Sequence, residues 1–490
     1  MKIEKLLLIV LIIGLFGCQN KKNEVVINIK INGKYPQKVE YTTPIDGKWF
    51  YGGKKSITTD SLGTLQIKMG IEKPSFVTLY ASGKAAILLV EPGKTYDTEF
   101  EIESNQKKFN IISEHNIGQN FYNTLPAPDF NLWELGAFMN DSIPSQVSSK
   151  INKLNEQEIF KFNELLEKGE ISSSYYELAI LDRKAYYSAL EIEVASILFS
   201  RFTKNNNSTA KNQLKDFWGE KINNLLSNKS DYIRSPWFYV LVNNLIHYPS
   251  KYSTPKLSND EINNIYKYNI DEAKKHLNGN ELEYYIALYI FQVSWQNKDN
   301  PKELIAVYEN YKREYPNSRY TKYLTASIKP IIDFHNKITE STVNKKVKLV
   351  ENYKNIDTFD ELIKTLQGKK VFVDIWGTWC GPCKREFQQK DKYSELLKSK
   401  NITTLYICEG RNSKEKVWKE MINYYDLEGQ HLLANGKLIA DIIDKFGNNG
   451  SFAYPRYLLV DEKGNVVNSQ ASYPSKTEHL EKEINENYVW

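Results

Sequence analysis

The stretch Val371-Phe372-Val373-Asp374-Ile375-Trp376-Gly377-Thr378-Trp379-Cys380-Gly381-Pro382-Cys383 decides how the last part of this chain is read. Val371 to Trp376 form a short apolar run suited to a buried strand, broken by one carboxylate, Asp374. The run points at a Cys-x-x-Cys, and a helix is expected to start near Cys380 and continue through Glu386 toward Leu397. Such a pair either exchanges disulfides or grips a metal. A zinc site would need two further ligands at compatible spacing. The sequence has no second Cys-x-x-Cys, and its six histidines, His431 and His479 among them, are scattered. Redox chemistry is therefore the reading that fits.

Working outward, Thr358-x-x-Glu361 offers a capping box for a helix ahead of the strand. Beyond the motif come a strand from Ile402 to Ile407 ending at Cys408, an amphipathic helix around Val417, Trp418, Met421, Ile422 and Tyr425, and another segment from Leu438 to Phe446. Arg456 to Asp461 reads as a strand and Asp461 to Asn465 as a tight turn. Ser475-x-x-Glu478 is expected to cap a final helix. Cys408 has no partner in the motif and is expected to be a small buried core residue.

This arrangement resembles the thioredoxin superfamily, and its later residues are similar to the TlpA-like branch of envelope thiol:disulfide oxidoreductases. The resemblance extends over about the last 140 residues and implies an α/β thioredoxin-like fold from 344 to 490. Within it, Cys380 at the helix start is the nucleophile, where free backbone N–H groups and the helix dipole stabilise a thiolate. Cys383, one turn on, is the resolving thiol. Asp374 corresponds to the family's buried acid; desolvation raises such a group toward working pH and suits it to take the proton of Cys383. Tyr454-Pro455 falls where the family has a cis-proline beside the disulfide. Trp379, Gly381, Pro382, Tyr454 and Pro455 are accordingly the expected substrate-binding residues. A peroxidase is disfavoured, because Gly377 stands where that chemistry carries threonine. No cofactor is implied beyond the Cys380–Cys383 disulfide, and no metal.

The first residues are an address rather than structure. Lys2 and Lys5 precede an apolar stretch from Leu6 to Phe16, then Gly17 and Cys18. That stretch is shorter than the roughly 20 residues a membrane span requires. The Leu15-Phe16-Gly17-Cys18 end resembles a bacterial lipobox, which implies a signal peptide over 1–17, lipidation of Cys18, and a tether over 18–24. The implied location is the bacterial cell envelope, lipid-anchored and facing the periplasm, where disulfides are permitted.

From Val25 to about residue 112 the apolar period is two, as in Ile27, Ile29 and Ile31, with turn glycines and Pro92-Gly93 between runs. Closely spaced strands of this kind predict an antiparallel all-β sandwich or barrel, and the region resembles the small β domain that precedes thioredoxin-like modules in envelope lipoproteins. From about 116 to 342 the apolar spacing is helical, as at Leu304, Tyr308 and Tyr311, predicting a central all-α region. Breaks are expected at Leu125 to Pro128, at Lys204 to Asn207, and from Tyr248-Pro249 to Pro255. The tyrosines Tyr175, Tyr176, Tyr186 and Tyr187 are expected to be core.

Composition bounds the partners. A chain of 490 residues with 65 Lys and Arg against 60 Asp and Glu carries only +5, which argues against nucleic-acid binding driven by phosphate neutralisation. The expectation is an envelope enzyme that reduces disulfides of exported client proteins and draws electrons from a membrane thiol donor. Isomerase or oxidase activity stays open, as does a lipoprotein adaptor that uses the thioredoxin fold only as a binding scaffold.

Overall fold

The computed structural model describes residues 23–488 except 34–35, 48–49, 51–53, 82–83, 102–107, 113–115, 127–134, 139–140, 142, 205–207, 228, 253–263, 297–299, 341–345 and 449–450. The expected signal peptide, Cys18 and most of the expected tether lie outside the described residues. The chain divides into two compact units, Met1–Trp295 with Ala306–Ile328, and Gln296–Ile305 with Lys329–Trp490.

In the first unit, strands β1 (Glu24–Asn32), β2 (Lys38–Thr42), β3 (Lys55–Thr58), β4 (Thr64–Gly70), β5 (Ser75–Ala81), β6 (Lys84–Val90), β7 (Thr95–Glu101) and β8 (Lys108–Ile111) form two four-stranded sheets. Their orders are β4-β1-β7-β8 and β3-β2-β5-β6. Period-two alternation sends Val25, Ile27 and Ile29 inward to meet Val39, Val77, Leu79 and Leu88 in one core, so the region is a sandwich. It is not purely antiparallel, as expected from the sequence, because β1 and β7 run parallel from Val26↔Thr95 to Asn32↔Glu101. Parallel neighbours need a long crossover, and here β2 to β6 supply it.

Helices follow from Asn116 onward, the longest being Ser173–Lys204. Their apolar faces bury Val147, Ile151, Leu190, Trp218 and Trp237 together. Tyr175, Tyr186 and Tyr187 are buried core, while Tyr176 is half-buried and donates to Asn163 Oδ1 at 2.6 Å. The break expected at Tyr248-Pro249 does not occur, since the helix Phe238–Tyr252 continues through it. Gly47 donates its N–H to the Ile233 carbonyl at 2.9 Å, and a Cβ there would stand 2.0 Å from the Ser235 carbonyl oxygen. Only glycine lets this loop of the sandwich approach the helices so closely.

The second unit is built on a six-stranded sheet of order β14-β13-β10-β11-β12-β9. Its strands are β9 (Val347–Leu349), β10 (Lys370–Trp376), β11 (Ile402–Glu409), β12 (Gly429–Ala434), β13 (Arg456–Val460) and β14 (Val466–Asn468). β9 to β12 are parallel; β13 runs antiparallel to β10, and β14 to β13. β10 is central and buried from Val371 to Trp376, as its nearly unbroken apolar sequence requires. Leu405, Met421, Leu438 and Ile442 fill one core against it, and Phe372, Tyr393, Leu480 and Ile484 another.

Three expectations need correction. The helix after Cys380 is two helices, Gly381–Phe387 and Lys390–Ser399, separated at Gln388 and Gln389, where no proline or glycine marks the break. Ser475 does not cap the final helix; its N–H and hydroxyl donate to the Glu386 carboxylate at 2.8 and 3.0 Å. The boundary drawn at Asn344 falls inside the second unit, because Phe334 is buried in its core and packs on Tyr424 with ring centroids 4.7 Å apart. By contrast, Thr358 and Glu361 do form the capping box expected of them.

Candidate functional site

β10 delivers its chain directly into the motif. Cys380 is the extended N-cap residue of the Gly381–Phe387 helix, and its Sγ accepts the N–H of Cys383 at 3.2 Å. The two cysteines are joined as a disulfide. Both are buried, at 2% and 0% exposure, whereas Gly381 and Pro382 between them are exposed. A disulfide partner must therefore approach across the Gly381-Pro382 side. The N–H that now points at Cys380 Sγ would stabilise a thiolate there after reduction.

Gly377 leaves room for the Trp379 indole, since a Cβ on it would meet that ring at 2.8 Å. Trp379 packs edge-on against Tyr454 at 5.2 Å between centroids. The Tyr454–Pro455 peptide is cis, and Pro455 is buried. Thr378 is buried behind the motif, its N–H donating to Ser413 Oγ at 3.2 Å.

Asp374 is 1% exposed, and neither of its oxygens has a hydrogen-bond partner among the described residues. Burial pushes its carboxyl well above the usual carboxylate range, and the charge of Glu386 adds to this. It lies opposite Tyr406 on β11 and Tyr457 on β13 in the sheet register. Cys408 is a buried free thiol beside Trp376 in that register, and burial raises its pKa far beyond the ordinary thiol value. Its position is that of core.

Sequence reasoning missed Glu409 and Arg411. Glu409 ends β11 fully buried, and its carboxylate accepts the N–H groups of Arg411 and Asn412 at 3.0 and 3.1 Å and Arg411 Nε at 2.8 Å. The Trp379 indole N–H also reaches it, at 3.4 Å. Burial pushes Glu409 up, but these donors outweigh it and hold the carboxyl below its ordinary value. The available signal was an acid closing an apolar strand, followed by Gly410-Arg411. Tyr454 responds in turn: burial first, then the Glu409 charge, raise it to about 12. Among the described residues, no group of three or more His, Cys, Asp or Glu is placed to hold a metal ion, and no helix is long and apolar enough to cross a membrane.

A parallel sheet flanked by helices, with an antiparallel strand entered by a cis-proline and a disulfide at a helix start, defines a thioredoxin-like unit. Residues 339–486 match the Redoxin family, so the C-terminal part of the chain is a thioredoxin-superfamily module, of the TlpA-like kind. It is 29% identical over 105 residues to the thiol-disulfide oxidoreductase ResA of Bacillus thuringiensis (strain Al Hakam), covering 21% of this chain and 56% of that protein. It is 26% identical over 123 residues to the thioredoxin-like protein YneN of Bacillus subtilis (strain 168), covering 24% of this chain and 66% of YneN. Among solved structures, the thioredoxin domain of a thiol-disulfide oxidoreductase from Bacteroides vulgatus aligns at 22% identity and a TM-score of 0.21, over 25% of this chain and 81% of that one. The chain thus spans little more than half the length of the first of these relatives.

Proposed function

We propose that the protein is a thiol:disulfide oxidoreductase that reduces disulfides of exported proteins through Cys380 and Cys383. The observation that carries this reading is the Cys380–Cys383 bond with the Cys383 N–H on Cys380 Sγ. In the reduced protein, the Cys380 thiolate attacks one sulfur of the client disulfide. A mixed disulfide forms and the other client sulfur leaves as a thiolate. Cys383 then gives its proton to Asp374 and attacks Cys380 Sγ, which expels the second client thiolate and restores the Cys380–Cys383 bond. Two electrons pass to the client, and a membrane dithiol donor returns them.

The lipobox-like Leu15 to Cys18 supports anchoring in a bacterial envelope with the module facing the periplasm. The Gly381-Pro382 pair supports a reducing direction, since it goes with a potential near the thioredoxin value of about −270 mV. Equilibration of the protein with glutathione buffers, read by thiol alkylation, tests this. A potential near that value supports a reductant; one above about −180 mV would make the protein an oxidant or isomerase.

A further inference from the structure

Trp379, Tyr454 and Phe452 form a continuous aromatic strip packed on the core that contains Cys380 and Cys383, with centroids 5.2 Å apart for the first pair and 5.0 Å for the second. All three are half-buried, leaving ring surface open to a partner. Guanidinium groups border the strip. Arg456 lies over the Phe452 ring at 5.2 Å. Arg411, its side chain 48% exposed, bonds through Nε to Glu409 and also interacts with the Tyr454 hydroxyl, which ties it to the strip. Arg385 stands over the motif itself, since a Cβ on Gly381 would lie 3.9 Å from its Nη1.

One acid nearby does pair with this display: Glu409, whose carboxylate bonds Arg411 and offsets that guanidinium's charge. Glu409 is fully buried and its oxygens accept from Arg411, Asn412 and Trp379. Glu386 accepts two bonds from Ser475, neutral donors that leave its charge in place. Arg385 and Arg456 thus supply the cationic side of an approach whose floor is aromatic and whose nearest backbone is exposed Gly381-Pro382. Arginine pairs with carboxylate in bidentate geometry and also stacks on aromatic faces.

We propose that this arginine-bordered strip selects clients whose disulfide is flanked by acidic residues, Asp or Glu, within an extended segment. The inference rests on the reductant reading above. Carboxylates beside the client cysteines meet Arg456 and Arg385, while apolar parts of the segment cover Trp379, Tyr454 and Phe452. Complementary charge at such an approach acts mainly on the rate of productive encounter and falls with ionic strength.

The test uses the full-length protein, reduced, and three disulfide peptides of equal length whose flanking residues are acidic, neutral or basic. Each rate of reduction is divided by that of the same peptide with dithiothreitol, which removes intrinsic differences in the disulfide. The acidic peptide should be reduced at least about fivefold faster than the basic one at low salt, and the ratio should fall below about twofold near 0.5 M salt, where screening is short-ranged. In the double variant Arg385→Glu/Arg456→Glu the ratio should flatten or invert, with Arg456→Gln giving a smaller change in the same direction. Equal rates for the three peptides, a preference for the basic one, or an unchanged ratio in the variants would overturn the proposal. Failure to reduce any peptide would overturn the reductant reading itself.

Discussion

Asp374 and Tyr457 stand opposite each other across the antiparallel pair β10 and β13, and neither the carboxylate oxygens nor the Tyr457 hydroxyl has a hydrogen-bond partner among the described residues. A buried acid in that state costs the fold free energy whenever it ionises. It is tolerated where taking up a proton has work to do, which is the role given it in the resolving step.

The first prediction follows from the sign of that shift. The folded state holds the Asp374 proton above the pH at which an unfolded aspartate loses it. Folding therefore weakens as pH rises from the ordinary aspartate value toward the raised one, by up to about 1.4 kcal/mol per pH unit. Asp374→Asn should remove this slope, so that the variant gains most over the parent at the higher pH. Urea unfolding at pH 5 and pH 8 checks it. Single-turnover resolution should slow in the same variant, and an unchanged rate would remove Asp374 from proton transfer.

His431 has the opposite sign. It is fully buried, stacked on Tyr406 at 4.7 Å, and its Nε2 lies 2.8 Å from the Leu427 carbonyl oxygen. Burial pushes its pKa down to about 4. The unfolded chain takes up the proton near pH 6.5 and the folded chain does not, so this stability is complete above 6.5 and is lost as pH falls toward 4, at up to about 1.4 kcal/mol per unit. His431→Gln should flatten the acid limb of the stability curve. An acid limb as steep as the parent's would contradict the assignment.

Phe334 provides a third prediction. It is 1% exposed in the core of the second unit and packs on Tyr424. Truncating a buried phenylalanine costs about 3–5 kcal/mol. A fragment beginning at Lys329 should therefore resist urea better than one beginning at Asn344 by about that amount. Equal midpoints would show that the Phe334 contact does not support the unit.

What the sequence revealed was local. β10, the motif and the capping box are contiguous segments whose residues carry their own geometry, and the cis position of Pro455 came with the family pattern. What it hid depends on residues brought together from separate strands. Tyr406 and Tyr457 flank Asp374 only through sheet register, and Glu409 reaches Trp379 only because β11 ends beside β10. The parallel β1–β7 pair was hidden because alternation shows which face is buried and not which neighbour a strand takes. Ser475 read as a cap because its local pattern is satisfied equally well by a carboxylate 89 residues away.

The central claim, that Cys380 attacks and Cys383 resolves, is tested most directly by trapping. Reduced Cys383→Ala protein mixed with a disulfide peptide should accumulate an equimolar mixed disulfide, which peptide mass spectrometry places on Cys380. Cys380→Ser protein should trap none, because the backbone N–H placed to stabilise an attacking thiolate points at Cys380. An adduct on Cys383 in the Cys380→Ser protein, or none in the Cys383→Ala protein, would contradict the account.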